Sequence, residues 1–111
     1  MWVGLDPAQG AEVPKTRPCV VVSRNVANQT ARTVTIVPLS SVSGRPAERL
    51  VQPLLRAADT GLPKDSRALC DQLRTVDKAR IRSVVGVLPS KGIRRIDEGL
   101  ILHLGLENWR P

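Results

Sequence analysis

The hydrophobic period of this chain changes at Ser90, and that change narrows the folds open to it. Before it, apolar residues come in short strand-like runs, each stopped by proline, glycine or a polar turn. After it, Ile93, Ile96, Leu100 and Leu104 fall at spacings of three and four, and Gly105 is a natural stop. The pattern predicts strands over 2–6, 17–23, 33–39, 50–55, 66–74 and 84–88, entered or left through turns such as 59–65. Pro38 and Pro53 suggest sheet edges or strand ends. Asp77 or Thr75 caps one helical turn at 77–81, and Ser90 caps the final helix. The expected fold is mainly β with one α element: a small, strongly curved antiparallel barrel with a C-terminal helix packed at its end.

With 111 residues the chain reads as a single domain over 1–111, without linker or repeat. No apolar run approaches the ~20 residues of a membrane span. The N-terminus has neither the basic region nor the apolar block of a secretory leader, so a cytoplasmic protein is expected. Cys19 and Cys70 lack partners at metal-ligand spacing and His103 is the single histidine, which leaves no metal set and reads the cysteines as reduced core thiols.

Charge says more about partners. The net charge is +7, and 67–95 holds Arg67, Arg74, Lys78, Arg80, Arg82, Lys91, Arg94 and Arg95 against Asp71 and Asp77. Such a field attracts nucleic acid or an acidic protein. Tyr and Phe are absent and Trp2 and Trp109 stand alone, which argues against recognition by stacking bases on aromatic platforms.

Candidate chemistry gathers at predicted strand ends: Glu12, Lys15 and Arg17, then Ser40 with Ser41, then Asp71 with Gln72. Arg17 is the strongest of these, because Pro18 and the apolar run 19–22 place it at the mouth of a strand. A guanidinium there can fork onto phosphate oxygens.

The segments Leu5-Asp6-Pro7, Gly10-Ala11-Glu12, Lys15-Thr16-Arg17-Pro18-Cys19-Val20-Val21-Val22-Ser23 and Val37-Pro38-Leu39-Ser40-Ser41 resemble the MazF/PemK family of toxin endoribonucleases. So do Gly61-Leu62-Pro63-Lys64-Asp65-Ser66, the run Cys70-Asp71-Gln72-Leu73-Arg74-Thr75-Val76-Asp77-Lys78 and the tail Ile96-Asp97-Glu98-Gly99-Leu100. The resemblance spans nearly the whole chain with its motifs in order. It implies an SH3-like barrel of MazF/CcdB type and a homodimer. It also implies metal-independent, sequence-selective cleavage of single-stranded RNA, mostly mRNA, and neutralisation by an acidic MazE-like antitoxin. By motif, Arg17 is the family's key arginine and Ser40 its hydroxyl residue. Glu12 matches the acid of the first loop, and Ser66, Asp71 and Gln72 match residues lining the RNA groove, with Lys15 adding charge toward the RNA.

The expected reaction uses the substrate's own 2′-hydroxyl, without a cofactor. Attack on the adjacent phosphorus leaves a 2′,3′-cyclic phosphate and a 5′-hydroxyl. Arg17 suits stabilisation of the charged phosphorane, assisted by Ser40. A guanidinium pKa above ~12 matches general-base work poorly, and Glu12 is the alternative base. Loops 7–16 and 41–48 are expected to set base choice.

Three departures from the family pattern stand out. The basic residue, glycine and acid that lead into the first strand of relatives are missing, which leaves a shortened strand or a start further upstream. Leu69 stands where some relatives carry arginine, and Ser40 stands where threonine is common, without the methyl that restricts its rotamer. The competing readings are a gyrase poison of CcdB type and a barrel that binds RNA without cutting it. Against the former, the terminal Trp-Gly-Ile of CcdB is absent.

Overall fold

The structure, a computed structural model, describes residues 2–5, 17–42 and 49–109, and only the backbone of 2–5, 25–27 and 85. In chain order the elements are β1 Trp2–Leu5, β2 Arg17–Val21, α1 Asn25–Thr30, β3 Thr33–Ser41, β4 Leu54–Leu55, α2 Ala57–Thr60 and β5 Ser66–Ala68. A 3₁₀ turn Cys70–Gln72, β6 Arg74–Asp77, a second 3₁₀ turn Lys78–Arg80, β7 Ile81–Gly86 and α3 Ser90–Leu104 complete the chain. They divide into two compact units, Met1–Leu39 with Leu73–Val87, and Ser40–Gln72 with Leu88–Pro111.

The first unit is an antiparallel sheet in the order β6-β3-β2-β1-β7. Its register pairs Leu5 with Arg17, Val20 with Val37, and Val34 with Val76. The core is a cluster of Cys19, Val34, Ile36 and Val76, with Val21 and Ile81 packed against it. On β3 Val34 and Ile36 are buried on one face and Val37 and Leu39 on the other, as alternation along a strand requires. Burying one such aliphatic side chain stabilises the fold by roughly 1.5–3 kcal/mol.

Pro38 marks neither an edge nor an end: β3 runs on to Ser41, and Pro38 pairs with Cys19. The missing amide costs the β6 ladder nothing, because the last pair there is Ile36 with Arg74. Asp77, not Thr75, caps the turn at 78–80, accepting from the Ala79 amide at 2.8 Å. The last strand begins at Ile81, three residues before the predicted 84, because Ile81 reaches the core while Val84 and Val87 stay exposed. Helix α1, absent from the sequence reading, is tied down by Asn28, whose Nδ2 donates to the Ser23 carbonyl at 2.9 Å. Among the described residues β6 and β7 are not paired with each other, so this sheet is open, not a closed barrel.

The second unit is built around α3. Its buried positions are Gly92, Ile96 and Gly99, with Arg95 and Leu100 half-buried beside them. The expected stripe of Ile93, Ile96, Leu100 and Leu104 is therefore rotated, and Ile93 and Leu104 face outward. The reason is close packing. A Cβ on Gly99 would lie 2.8 Å from Cys70 Sγ and 3.2 Å from Pro53 Cδ, so only hydrogen fits. Arg95 Nε donates to the Leu54 carbonyl at 2.9 Å and fixes β4 against the helix. Ser90 opens the helix as its first residue with no side-chain cap, whereas Gly105 ends it as predicted, at φ +68°.

Two predicted strands break up here. In 50–55 only Leu54 and Leu55 are extended, because the Gln52 amide turns back onto the Arg49 carbonyl at 3.1 Å. The run 66–74 becomes β5, the 3₁₀ turn and the start of β6. The turn read at 59–65 begins on the last residues of α2, with Gly61 at φ +77° ending that helix, and the first amide of α2, on Ala57, is taken by Asp65 Oδ1 at 2.8 Å.

Candidate functional site

Arg17 is held by its backbone. It pairs with Leu5 at the end of the β1–β2 ladder, Cys19 and Val20 beyond it are buried, and its own side chain is exposed. The ladder thus fixes the backbone position from which the exposed side chain extends. Ser40 sits half-exposed near the end of β3, in the second unit. Glu12 and Lys15 lie outside the described residues, as do most of the loops expected to choose bases.

Asp71 and Gln72 are positioned differently. Cys70 is fully buried against Gly99, with its thiol 3.7 Å from the Ile96 carbonyl that accepts from it. The tight 3₁₀ turn then throws both following side chains outward, and both are exposed. Ser66, by contrast, is 2% exposed and donates to the Lys64 carbonyl at 3.4 Å, a place in the core rather than in a groove.

The Asp71 carboxylate has a partner that sequence reasoning missed. Gln52 Nε2 donates to its two oxygens at 3.0 and 3.1 Å. On the other side of the same amide, Arg49 Nη1 approaches Gln52 Oε1 at 3.5 Å. Arg67 Nη1 donates to the Gln52 backbone carbonyl at 3.4 Å. Glutamine carries no chemical signature of its own, and this one is 19 residues from Asp71. Only the path of the chain reveals the pair.

Burial, with help from Asp71 and Asp97, pushes the Cys70 thiol up to about 11, so it stays protonated and inert at neutral pH. Partial burial likewise raises the Asp97 carboxyl above its ordinary value. A cavity of 530 Å³ between β4, α2 and α3 carries Arg56, Lys91 and Arg95 beside Asp59 and Asp65, and none of the predicted site residues. Two of these are committed to backbone groups, Asp65 to Ala57 and Arg95 to Leu54. Among the described residues no three His, Cys, Asp or Glu gather as metal ligands would. The basic run 67–95 is divided between the units, with Arg74, Lys78, Arg80 and Arg82 in the first and the others in the second. Among the described residues no helix is long and apolar enough to cross a membrane.

The comparisons agree with one another. Residues 1–104 match the family model of PemK-like, MazF-like toxins of type II toxin–antitoxin systems. A Mycobacterium tuberculosis protein, endoribonuclease MazF9, is 38% identical over 96% of this chain and 93% of its own length. Among solved structures, the M. tuberculosis toxin MazF-mt6 superposes with a TM-score of 0.74 at 17% identity, covering 95% of this chain and 97% of that one. A mycobacterial endoribonuclease in complex with its cognate antitoxin gives 0.77 at 19% identity over 98% and 94%. The MazE–MazF complex of Deinococcus radiodurans gives 0.74 at 22% over 94% and 92%. The antiparallel strands and C-terminal helix are those of the MazF fold, and the chain belongs to the PemK/MazF family of type II toxins.

Proposed function

We propose that this toxin is a metal-independent endoribonuclease that cuts single-stranded RNA, mRNA above all, at short sequences. One observation carries the proposal: an exposed arginine fixed by its backbone at the first position of a buried strand. The name of the 38%-identical relative, an endoribonuclease, points the same way.

In this reading the substrate's 2′-oxygen loses its proton and forms a bond to phosphorus, while the bond from phosphorus to the 5′-oxygen breaks. The products are a 2′,3′-cyclic phosphate and a 5′-hydroxyl, the departing oxygen having taken up a proton. Arg17 binds the phosphoryl oxygens as negative charge builds on them, and Ser40 adds a hydrogen bond. Glu12 takes the 2′-proton; a carboxylate suits that work near neutral pH better than a guanidinium. Asp71 and Gln72 contact the RNA, Lys15 supplies charge, and Ser66 supports the turn from within.

The chain works as one domain, as a homodimer in the cytoplasm. It is restrained there by an acidic MazE-like antitoxin, to which its net charge of +7 is complementary. Relatives in complex with an antitoxin support that partner. The test is incubation with a long RNA in EDTA. Wild type should release discrete fragments ending in cyclic phosphate. Arg17→Ala should lower the rate by a hundredfold or more, about the loss of one transition-state donor. Intact RNA from a folded wild-type protein would sink the proposal.

A further inference from the structure

We infer that Gln52 is a positioning residue for Asp71, and that the pair selects an RNA base bearing an exocyclic amino group and rejects uracil. The inference rests on the endoribonuclease reading and adds to it a specificity device.

The two ends of the Gln52 amide have opposite demands, a donor at Nε2 and an acceptor at Oε1. The carboxylate of Asp71 satisfies the first at 3.0 and 3.1 Å, and the guanidinium of Arg49 lies on the side of the second at 3.5 Å, the long limit of a hydrogen bond. The carboxylate therefore dictates which way the amide faces. Its backbone is also fixed, since Arg67 donates to the Gln52 carbonyl and the Ala68 amide to the Pro53 carbonyl next to it, at 2.9 Å. Asp71 is held just as firmly from below, through buried Cys70 and the hydrogen-only space at Gly99.

Nε2 lies almost equidistant from the two carboxylate oxygens, at 3.0 and 3.1 Å. A donor so placed occupies the inner lone pairs of the carboxylate and leaves one outer lone pair on each oxygen. Asp71 is exposed, so these outer sites are open to a ligand. An exposed carboxylate would ordinarily turn freely, and one locked in place can discriminate. Single-stranded RNA offers its Watson–Crick edges to such a group. The amino groups of cytosine, adenine and guanine each bring an N–H to one oxygen. Uracil offers only its ring N–H, set between two carbonyl oxygens that the carboxylate repels. A correctly read base edge is worth roughly 1–3 kcal/mol, which is about 5- to 150-fold in preference.

The test uses short RNAs of one sequence, varied through all four bases at each position. Cleavage in EDTA is measured, together with binding of versions carrying a 2′-deoxy sugar at the scissile position. Wild type should disfavour uracil about tenfold or more at one position. Gln52→Met, of similar shape but without the amide, and Asp71→Asn should both shrink that penalty to about twofold at the same position, leaving the other positions as they were. A penalty untouched by Gln52→Met, or a loss of preference spread evenly over all positions, overturns the positioning role. Cleavage by wild type with no uracil penalty anywhere overturns this inference alone. Absence of both cleavage and binding overturns the endoribonuclease reading beneath it.

Discussion

The two units hold their chemistry in different ways. Arg17 sits on a backbone ladder, where the neighbouring strand β1 and the cluster of Cys19, Val34, Ile36 and Val76 share the task of fixing it. Asp71 sits on a three-residue turn, fixed by one close approach at Gly99 and one amide at Gln52. A ladder spreads the load over many weak bonds, and a turn concentrates it on a few contacts. The first arrangement suits a group that must always bind phosphate. The second suits a group whose choice of base can be retuned by a single substitution.

That contrast can be broken at the sheet. Ile36 is fully buried at the centre of β3, and Ile36→Ala should cost about 2–5 kcal/mol in urea unfolding. Amides of β2, β3 and β6 should lose exchange protection together, and a loss confined to β3 would contradict a shared ladder. Next in size is the close contact of the second unit. Gly99→Ala should cost about 1–3 kcal/mol, because its new methyl meets Cys70 and Pro53. Gly92→Ala meets Cγ and both methyls of buried Leu88 at 2.9–3.1 Å and should cost a similar amount. A cost at Gly99 well below that at Gly92 would show that the turn at 70–72 is not specially constrained.

The smallest effect is alkaline. Cys70 is held at about 11 in the fold against an ordinary 9.0, so the unfolded chain loses its thiol proton first as pH rises. Its contribution is complete below pH 9 and declines as pH climbs toward 11. Between pH 8 and pH 10 this amounts to about 1 kcal/mol. Cys70→Ala should flatten that part of the urea profile, and an unchanged slope would assign it elsewhere.

Much of the sheet was legible in the chain because β-branched runs bounded by proline and glycine leave few alternatives. The errors have physical causes. Counting apolar residues chose Ile93 and Leu104 for the inner face of α3, because glycines at 92 and 99 do not register as hydrophobic. Yet their lack of a side chain is what brings the helix close. The run 66–74 contains neither glycine nor proline, so nothing announced that Cys70 would dive into the core and bend it. Of the candidate site, Arg17 and Asp71 were legible as charged groups beside buried segments. Gln52 was not, because its value comes only from what it touches.

Each unit also contains one cysteine outside any disulfide, Cys19 in the first and Cys70 in the second, both without exposed surface. A thiol-specific reagent can reach either sulfur only when the surrounding structure opens. The chain thus carries two built-in clocks. Modification at 19 times the breathing of the sheet that bears Arg17, and modification at 70 times that of the turn that bears Asp71. Peptide mass spectrometry of one partly labelled sample reads both clocks at once, without the introduction of a foreign probe.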